Sequence, residues 1–209
     1  MINFFSDIKE YSNKIIGNET QNTTNTQNNK LIKRINILFT ALFAFIGILL
    51  ISIIDNFFLD KNFKVNGTSF SILTGAYAAT SVLIYDDFAI KSPLAQPKNV
   101  IGSYTLASFI GVSTRIICEY LSLDTYISGP LAVSLALIIM NIIDVLHPPG
   151  GACALIAVIG NTNIKNMGYY YVLTSFCGSL LLVIVAILTN NLIKNRTYPS
   201  NGYSILPIN

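Results

Sequence analysis

The stretch that decides the fold is Asp144-Val-Leu-His-Pro-Pro-Gly-Gly-Ala-Cys-Ala-Leu155, which places the chain's single histidine, two prolines and two glycines between apolar runs. Proline lacks a backbone N–H and glycine accepts unusual backbone angles, so a helix does not run through this stretch unbroken. We expect one helix to end near Leu146 and another to begin near Gly151. In an apolar setting, the backbone groups at such a break must be satisfied by protein or by a polar cavity.

The composition is that of a membrane protein. Only 11% of the residues are charged, 52% are hydrophobic, and the mean hydropathy is +0.57. The net charge of +3 forms no dense basic face, so we expect no nucleic-acid partner. Cys118, Cys153 and Cys177 lie in apolar runs without CxxC spacing, and one histidine is too few for a zinc centre. We therefore expect no metal and no cofactor.

Six apolar runs follow one another, at about 35–55, 70–85, 100–118, 129–146, 151–160 and 168–193. A full crossing needs about 20 residues, so the second and fifth runs are short. The pattern predicts an all-α polytopic transmembrane bundle over 35–193. It crosses six times, or five times if the fifth segment is re-entrant. A cytoplasmic, largely disordered polar tail is expected at 1–34 and a short polar tail at 194–209.

The six segments divide into two sets of three, each with a short, glycine-marked second member. A shift of 67 residues superposes identical residues of the two sets, among them Tyr104 and Tyr171, Ser108 and Ser175, and Gly111 and Gly178. Two sets of three crossings have opposite orientations in a membrane. We therefore predict two inverted three-segment repeats with short or broken helices, a plan that many transporters share.

Lysine and arginine are distributed unevenly between the loops. With a cytoplasmic N-terminus and six crossings, the basic residues that flank the segments outside are Lys61, Lys64 and Lys165, and those inside are Lys30, Lys33, Arg34, Lys91, Lys98, Lys194 and Arg196. This agrees with the positive-inside rule. We expect a multi-pass protein of the cell membrane with its N-terminus in the cytoplasm.

The break at His147 is the leading candidate site. A helix that begins after Pro148 and Pro149 would direct the N–H groups of Gly150, Gly151 and Ala152 at a small anion. Asp144 stands three residues before His147, one helical turn, and is expected to hold the imidazole.

A second helix start is expected near Gly75. Alternatively, both breaks serve only close packing of helices. Arg115 is expected to pair with Glu119 one turn away or to extend to the interface, and the alternative is that it attracts an anion. No nucleophile elbow or phosphate loop appears, so no enzymatic activity is expected.

Two motifs resemble the HPP family of integral membrane proteins, which is named after His-Pro-Pro. His147-Pro148-Pro149 within the opening stretch matches the first signature, and Ser92-Pro-Leu-Ala-Gln-Pro-Lys-Asn-Val-Ile-Gly102 resembles the second. Many members carry Gly-Gly-His where this chain has Gly102-Ser103-Tyr104. The resemblance implies a multi-pass protein, usually described with about four spans. Plastid and cyanobacterial members are associated with nitrite transport.

Together these features predict a membrane protein that passes a small inorganic anion, and the resemblance to the HPP family implies nitrite as the first candidate. The Ser92–Asn99 loop would shape a vestibule in which Gln96 and Asn99 are uncharged donors. The expected partners are the lipid bilayer, the anion and further copies of the chain. The alternative function is a membrane sensor or assembly module that transports nothing.

Overall fold

The computed structural model describes residues 11–13, 30–59, 64–65, 67–69, 71–193 and 196–200. Its helices are α1 (Lys30–Ile54), α2 (Ala76–Tyr85), α3 (Pro97–Tyr120), α4 (Thr125–Ile142), α5 (Pro148–Ile159), α6 (Thr162–Met167) and α7 (Tyr170–Asn190). The smaller elements are a π-helical turn (Asp55–Leu59), two antiparallel strands, β1 (Lys64–Val65) and β2 (Thr68–Ser69), and two 3-10 turns (Ala89–Lys91 and Pro93–Ala95).

Four helices of the described chain are long and apolar enough to cross a membrane, which confirms the prediction of an all-α polytopic membrane protein. These spans are Arg34–Phe57, Pro97–Tyr120, Thr125–Ile142 and Tyr170–Asn190. The two short segments also form helices, α2 with 10 residues and α5 with 12. At about 1.5 Å per residue, neither is as long as the hydrocarbon core of a bilayer is thick.

The elements run between two ends of the bundle, which we call end A and end B. At end A the Thr40 hydroxyl of α1 donates to the carbonyl of Tyr85, the last residue of α2, and accepts from Arg196 beyond α7. At end B the Asp55 carboxylate after α1 accepts from the Ser71 hydroxyl, in the segment that leads into α2. The part of the chain that the structure describes passes between these ends six times.

The two sets of three helices have opposite orientations. The first set, α1, α2 and α3, starts at end A, whereas the second set, α4, α5 and α7, starts at end B, and the second helix of each set is the short one. This arrangement is the one that an inverted repeat requires. Common descent of the two sets stays a prediction.

The predicted helix break is present, with slightly different boundaries. Helix α4 ends at Ile142 because Asp144 adopts a left-handed backbone with φ of 56°. The Val145 N–H then donates back to the Met140 carbonyl at 2.9 Å, as in a Schellman motif. Helix α5 begins at Pro148, earlier than the expected Gly151, because proline's fixed φ suits the first helical position.

Helix α3 lies at the centre of the bundle and packs against α4, α5 and α7. The closest approach is to α5, where a Cβ added to Gly111 would lie 2.5 Å from the Ala154 carbonyl oxygen. Helix α2 is held by two tyrosine rings, with Tyr77 lying over Gly178 of α7 and Tyr85 over Gly47 of α1. Glycine thus permits close helix packing, as is common in membranes.

Part of the predicted C-terminal tail, 194–209, belongs to the bundle instead. Residues 196–200 fold back under end A, where the fully buried Tyr198 donates its hydroxyl to the Ala95 carbonyl at 2.7 Å. Burial raises the pKa of this phenol well above its ordinary value, so the hydroxyl stays protonated. Most of the tail predicted at 1–34 lies outside the described residues, although α1 already begins at Lys30.

Candidate functional site

His147 is fully buried at the start of α5, and both of its ring nitrogens have partners. Nδ1 lies 2.7 Å from the carbonyl oxygen of Leu94, which can only accept, so Nδ1 carries a proton and donates it. Nε2 lies 2.8 Å from the Thr80 hydroxyl of α2. A neutral imidazole therefore accepts from Thr80, and the histidine joins α2, α5 and the loop before α3.

The hydrogen bonds continue from His147 into the bundle. The Thr80 hydroxyl lies 2.8 Å from the hydroxyl of Tyr104, whose ring centroid lies 5.0 Å from that of Tyr77. The Tyr77 hydroxyl donates to the Ser175 carbonyl at 3.1 Å. We call the buried set the polar column; its members are His147, Thr80, Tyr104, Tyr77, Ser175, Cys153 and Tyr171.

The column extends toward end B through Cys153. The Cys153 thiol lies 3.4 Å from the Ser175 hydroxyl and 3.4 Å from the Tyr171 hydroxyl. Polar side chains are costly inside a membrane protein unless they are paired, and they often mark a functional path. The column is therefore the candidate site that the structure defines.

The predicted contact between Asp144 and His147 is wrong. The Asp144 side chain is 95% exposed, and its carboxylate lies 3.5 Å from Lys98 Nζ. The spacing of three residues matches one helical turn only within a continuous helix, and here the left-handed residue ends α4 before His147. The imidazole is held by Thr80 and Leu94 instead.

The start of α5 is poor in free N–H donors. Pro148 and Pro149 occupy its first two positions and have no N–H. The Gly150 N–H donates to the His147 carbonyl at 2.9 Å, and a Cβ on Gly150 would lie 3.0 Å from that of Ser103. The structure therefore uses Gly150 for close packing on α3, which does not favour its predicted role as an anion donor.

The remaining predicted donors lie apart from one another. Gly151 is half-buried against Val133, and Ala152 is exposed on the outer face of α5. Gly75 is exposed at the start of α2, about 7 Å along the helix axis from Thr80. The two helix starts therefore do not meet at one point.

Gln96 and Asn99 hold backbone together at end A. The buried Gln96 donates its amide Nε2 to the Ile90 and Ser92 carbonyls at 2.8 and 2.9 Å, and its Oε1 accepts from Ser200 N at 2.9 Å. Asn99 donates to the Leu146 carbonyl at 3.1 Å. The Ser92–Asn99 loop is thus closed by residues 196–200, and the structure does not show the open vestibule that we expected there.

The two sequence motifs are brought together by these contacts. The loop of the second motif supplies Leu94 to His147, and Asn99 reaches the residue before His147. At end B, Arg115 pairs with Glu119 at 3.4 Å as expected and also donates to the Lys165 carbonyl at 3.0 Å.

Several column residues were missed by the sequence analysis. Thr80 gave no signal beyond a hydroxyl within an apolar run, and Tyr171 resembled a member of an interfacial aromatic group. Two signals pointed to Tyr104: it stands where many HPP members have histidine, and it matches Tyr171 under the internal shift. Neither signal indicates which side chains lie against it.

The exposed position of Asp144 gives a testable consequence. We expect Asp144→Asn to change the unfolding free energy by no more than about 0.5 kcal/mol, because the carboxylate makes only an exposed ion pair and asparagine accepts the left-handed backbone. Thermal unfolding in detergent, followed by circular dichroism, measures this change. A large loss would indicate that the carboxylate holds His147 after all.

The fold and its buried polar side chains define an all-α polytopic membrane protein. The family model described as "HPP, transmembrane region" matches residues 29–199, and the chain belongs to this family. This confirms the resemblance seen in the two motifs.

The chain is also similar to two transmembrane proteins of Dictyostelium discoideum. Each is 35% identical, over 162 and 158 residues. The alignments cover 77% and 75% of this chain but 53% and 48% of the relatives, so the chain spans about half the length of the curated relatives it matches. No solved structure matches.

Proposed function

We propose that this protein passes a small inorganic anion across its membrane. The observation that supports the proposal is the polar column, which extends from His147 near end A to Tyr171 toward end B. A membrane protein that needed these helices only to pack could use apolar side chains at lower cost. The membrane domain would thus carry the function in its core.

Hydroxyl groups suit the passage of an anion. The hydroxyls of Thr80, Tyr104 and Tyr171 can rotate from their present acceptors and donate to a passing anion. They carry no fixed charge, so they do not trap the anion as a buried cation would. Lys98 at end A and Arg115 at end B lie toward the two ends of the column, where each pairs with a carboxylate, Asp144 and Glu119 respectively.

Nitrite is the first candidate substrate. It is a small monovalent anion with oxygen acceptors, which matches a column of hydroxyl donors. The likeness to the HPP family supports this choice, since some of its members are associated with nitrite.

We also propose that end A faces the cytoplasm. The described basic residues at end A are Arg34, Lys91, Lys98 and Arg196, and Lys30 and Lys33 belong to the first turns of α1, which begins at that end. This excess agrees with the positive-inside rule.

A second candidate, a non-transporting assembly module, is supported by how closed the site is. Both nitrogens of His147 are already bonded, and Gly150 is packed against Ser103. In that case the polar groups would only fix one arrangement of the helices.

Flux through liposomes that contain the purified protein distinguishes the two. We expect Tyr104→Phe to lower nitrite flux by roughly tenfold, because the column loses one donor to the anion while the ring packing remains. Tyr198→Phe is the matched control, since it also removes one buried tyrosine hydrogen bond but lies outside the column. Nitrate, formate and chloride are compared with nitrite.

The outcomes are distinct. Nitrite flux that falls in Tyr104→Phe and persists in Tyr198→Phe supports passage along the column. Equal losses of nitrite flux in the two variants would indicate a general loss of stability and would contradict passage of the anion along the column. Folded, inserted protein that passes none of the four anions contradicts transport and favours the assembly module.

A further inference from the structure

The loop before α3 covers the end A terminus of the polar column. This loop, Ser92–Asn99, leads into α3 at end A, and its Leu94 carbonyl accepts the Nδ1 proton of His147. The imidazole below it is fully buried. An anion or a water molecule that enters the column from end A can therefore reach His147 only after the loop has moved away.

Residues 196–200 hold the same loop in place, and we call them the end A latch. The Tyr198 hydroxyl donates to the Ala95 carbonyl at 2.7 Å, and the Ser200 hydroxyl donates to the Ile90 carbonyl at 3.0 Å. In sequence, these two carbonyls stand on either side of the one that binds the imidazole. The latch and His147 therefore bind one short piece of backbone, and the position of that piece depends on both.

Arg196 anchors the latch to the rest of end A. Its guanidinium pairs with Asp87, donates to the Asn190 side-chain carbonyl at 3.1 Å, and donates to the Thr40 hydroxyl at 2.6 Å. These partners belong to the loop after α2, to α7 and to α1. Hydrogen bonds of a charged donor are stronger than those between neutral groups. Arg196 therefore contributes more than any other latch residue to keeping the latch bound.

The contacts of the latch can be broken without separating the helices. Most of them are hydrogen bonds at one end of the bundle, where water can replace each bond on release. Thr197 and Ser200 are half-buried, and the Asp87 side chain is 35% exposed. The buried apolar side chains of the latch are Tyr198 and Pro199. A segment with so few apolar contacts opens more readily than the helical core does.

We propose that residues 196–200 are an autoinhibitory latch that keeps the Ser92–Asn99 loop over His147. The bound latch closes the column at end A, and its release opens the column to water and solutes. That release also raises anion flux is a part of the proposal that rests on the proposed function. The closed site is then the inhibited state of a transporter, and its closure does not argue against transport.

The chain contains one histidine, so chemical modification of His147 reports directly on the end A terminus of the column. The full chain is purified through a tag without histidine, reconstituted into liposomes and treated with diethyl pyrocarbonate. Mass spectrometry of the peptide that contains His147 gives the modification rate. A buried, bonded ring reacts only when the latch is released, so the rate follows the population of the open state.

Two variants loosen the latch to different extents. We expect Arg196→Gln to raise the modification rate about tenfold, because the charged donor to three partners is lost. Ser200→Ala removes one neutral hydroxyl from a half-buried position and should raise the rate about threefold. A rate that stays at the parent value in both variants would overturn the latch.

Lys98→Gln is the matched control at the same end. It removes the exposed ion pair with Asp144, which shares no residue with the latch, and should leave the modification rate unchanged. Circular dichroism in detergent verifies that each variant is folded. An equal rise in Lys98→Gln would show that any lost ion pair at end A exposes His147, which would contradict a specific latch.

A crosslink between the latch and the loop tests the opposite direction. The Ser92 carbonyl and the Ser200 hydroxyl lie 2.9 and 3.3 Å from the same Gln96 nitrogen, so the two serines are close together. Ser92→Cys and Ser200→Cys are combined and linked with a short bifunctional methanethiosulfonate. Linking should abolish the modification of His147 and lower nitrite flux, and a reductant should restore both. The parent and each single variant, treated alike, should not change.

Flux measured on the same proteoliposomes separates this proposal from the proposed function. We expect nitrite flux to rise in Arg196→Gln and Ser200→Ala. Tyr198→Phe loses another latch bond, so its flux should equal or exceed that of the parent.

The remaining outcomes are distinct. If His147 becomes reactive in the latch variants while no protein passes nitrite, nitrate, formate or chloride, the latch closes the column and anion passage is contradicted. If the parent passes nitrite and the latch variants change neither reactivity nor flux, passage is supported and the latch is overturned. Higher reactivity with unchanged flux, or linked protein that passes nitrite at the parent rate, would overturn the latch as a regulator.

Discussion

Gly111→Ala is expected to lower the unfolding free energy by about 3 kcal/mol, because the added methyl group meets backbone. Its Cβ would lie 2.5 Å from the carbonyl oxygen of Ala154 and 2.9 Å from the Ala154 Cα. A side chain could rotate away from such a contact, but these backbone atoms belong to α5. Helices α3 and α5 must therefore separate, and the start of α5 that carries His147 must move with them.

Gly151→Ala is the matched control within the histidine motif. Its Cβ would meet only Val133, at 3.8 Å, which is an ordinary contact. Alanine also favours a helix over glycine, so we expect this variant to be unchanged or more stable by up to about 1 kcal/mol.

Detergent-solubilised protein, unfolded with increasing sodium dodecyl sulfate and followed by far-ultraviolet circular dichroism, compares the two glycine variants. The chain has no tryptophan, so fluorescence is less suitable. Equal stability of the two variants would show that α3 and α5 do not approach as closely as the structure has them.

The helices and their break could be predicted because the signals are local. Apolar runs of sufficient length indicate spans, and Pro148 with Pro149 cannot continue a helix that precedes them. The exact boundaries depended on Asp144, whose left-handed backbone ends α4 before Leu146. Non-glycine residues adopt this conformation only occasionally, so the sequence alone did not indicate it.

The predicted partner of His147 is wrong, whereas its role in a site stays a prediction. His147 lies at the end A terminus of the polar column, and its bonds go to Thr80 and Leu94, which are distant in sequence. Asp144 was predicted as the partner of His147 because the two residues are close in sequence. Residues on either side of a helix break can nevertheless point in opposite directions. Which side chains meet between helices depends on how the whole bundle packs, and this packing could not be predicted from a single sequence.

Packing constraints account for part of the internal match. The matched pairs Tyr104 with Tyr171 and Ser108 with Ser175 are buried in the structure, whereas the matched pair Phe109 with Phe176 is exposed. A position that must face a crowded helix neighbour restricts which residues fit, so similar restrictions at two places give similar residues. This reason for the match holds whether or not the two sets share an ancestor.

His147→Ala is expected to lower the unfolding free energy by about 3–5 kcal/mol. Removal of a fully buried ring leaves a cavity, and it also leaves the Leu94 carbonyl and the Thr80 hydroxyl without their present partner. The same loss disconnects the loop before α3 from α5. Unfolding in sodium dodecyl sulfate measures the effect, and Asp144→Asn in the same motif is the nearly neutral comparison.

A double-mutant cycle with Thr80→Val separates the hydrogen bond from the cavity. If Nε2 of His147 accepts from Thr80, the double variant should lose about 1 kcal/mol less than the two single losses together, because the bond can be broken only once. Strictly additive losses would show that the two side chains do not interact.

Since His147→Ala is expected to destabilise the fold, loss of flux in that variant alone would not identify His147 as a residue that contacts the anion. Tyr104→Phe preserves the ring that packs on Tyr77, and it therefore tests the path while leaving the bundle intact.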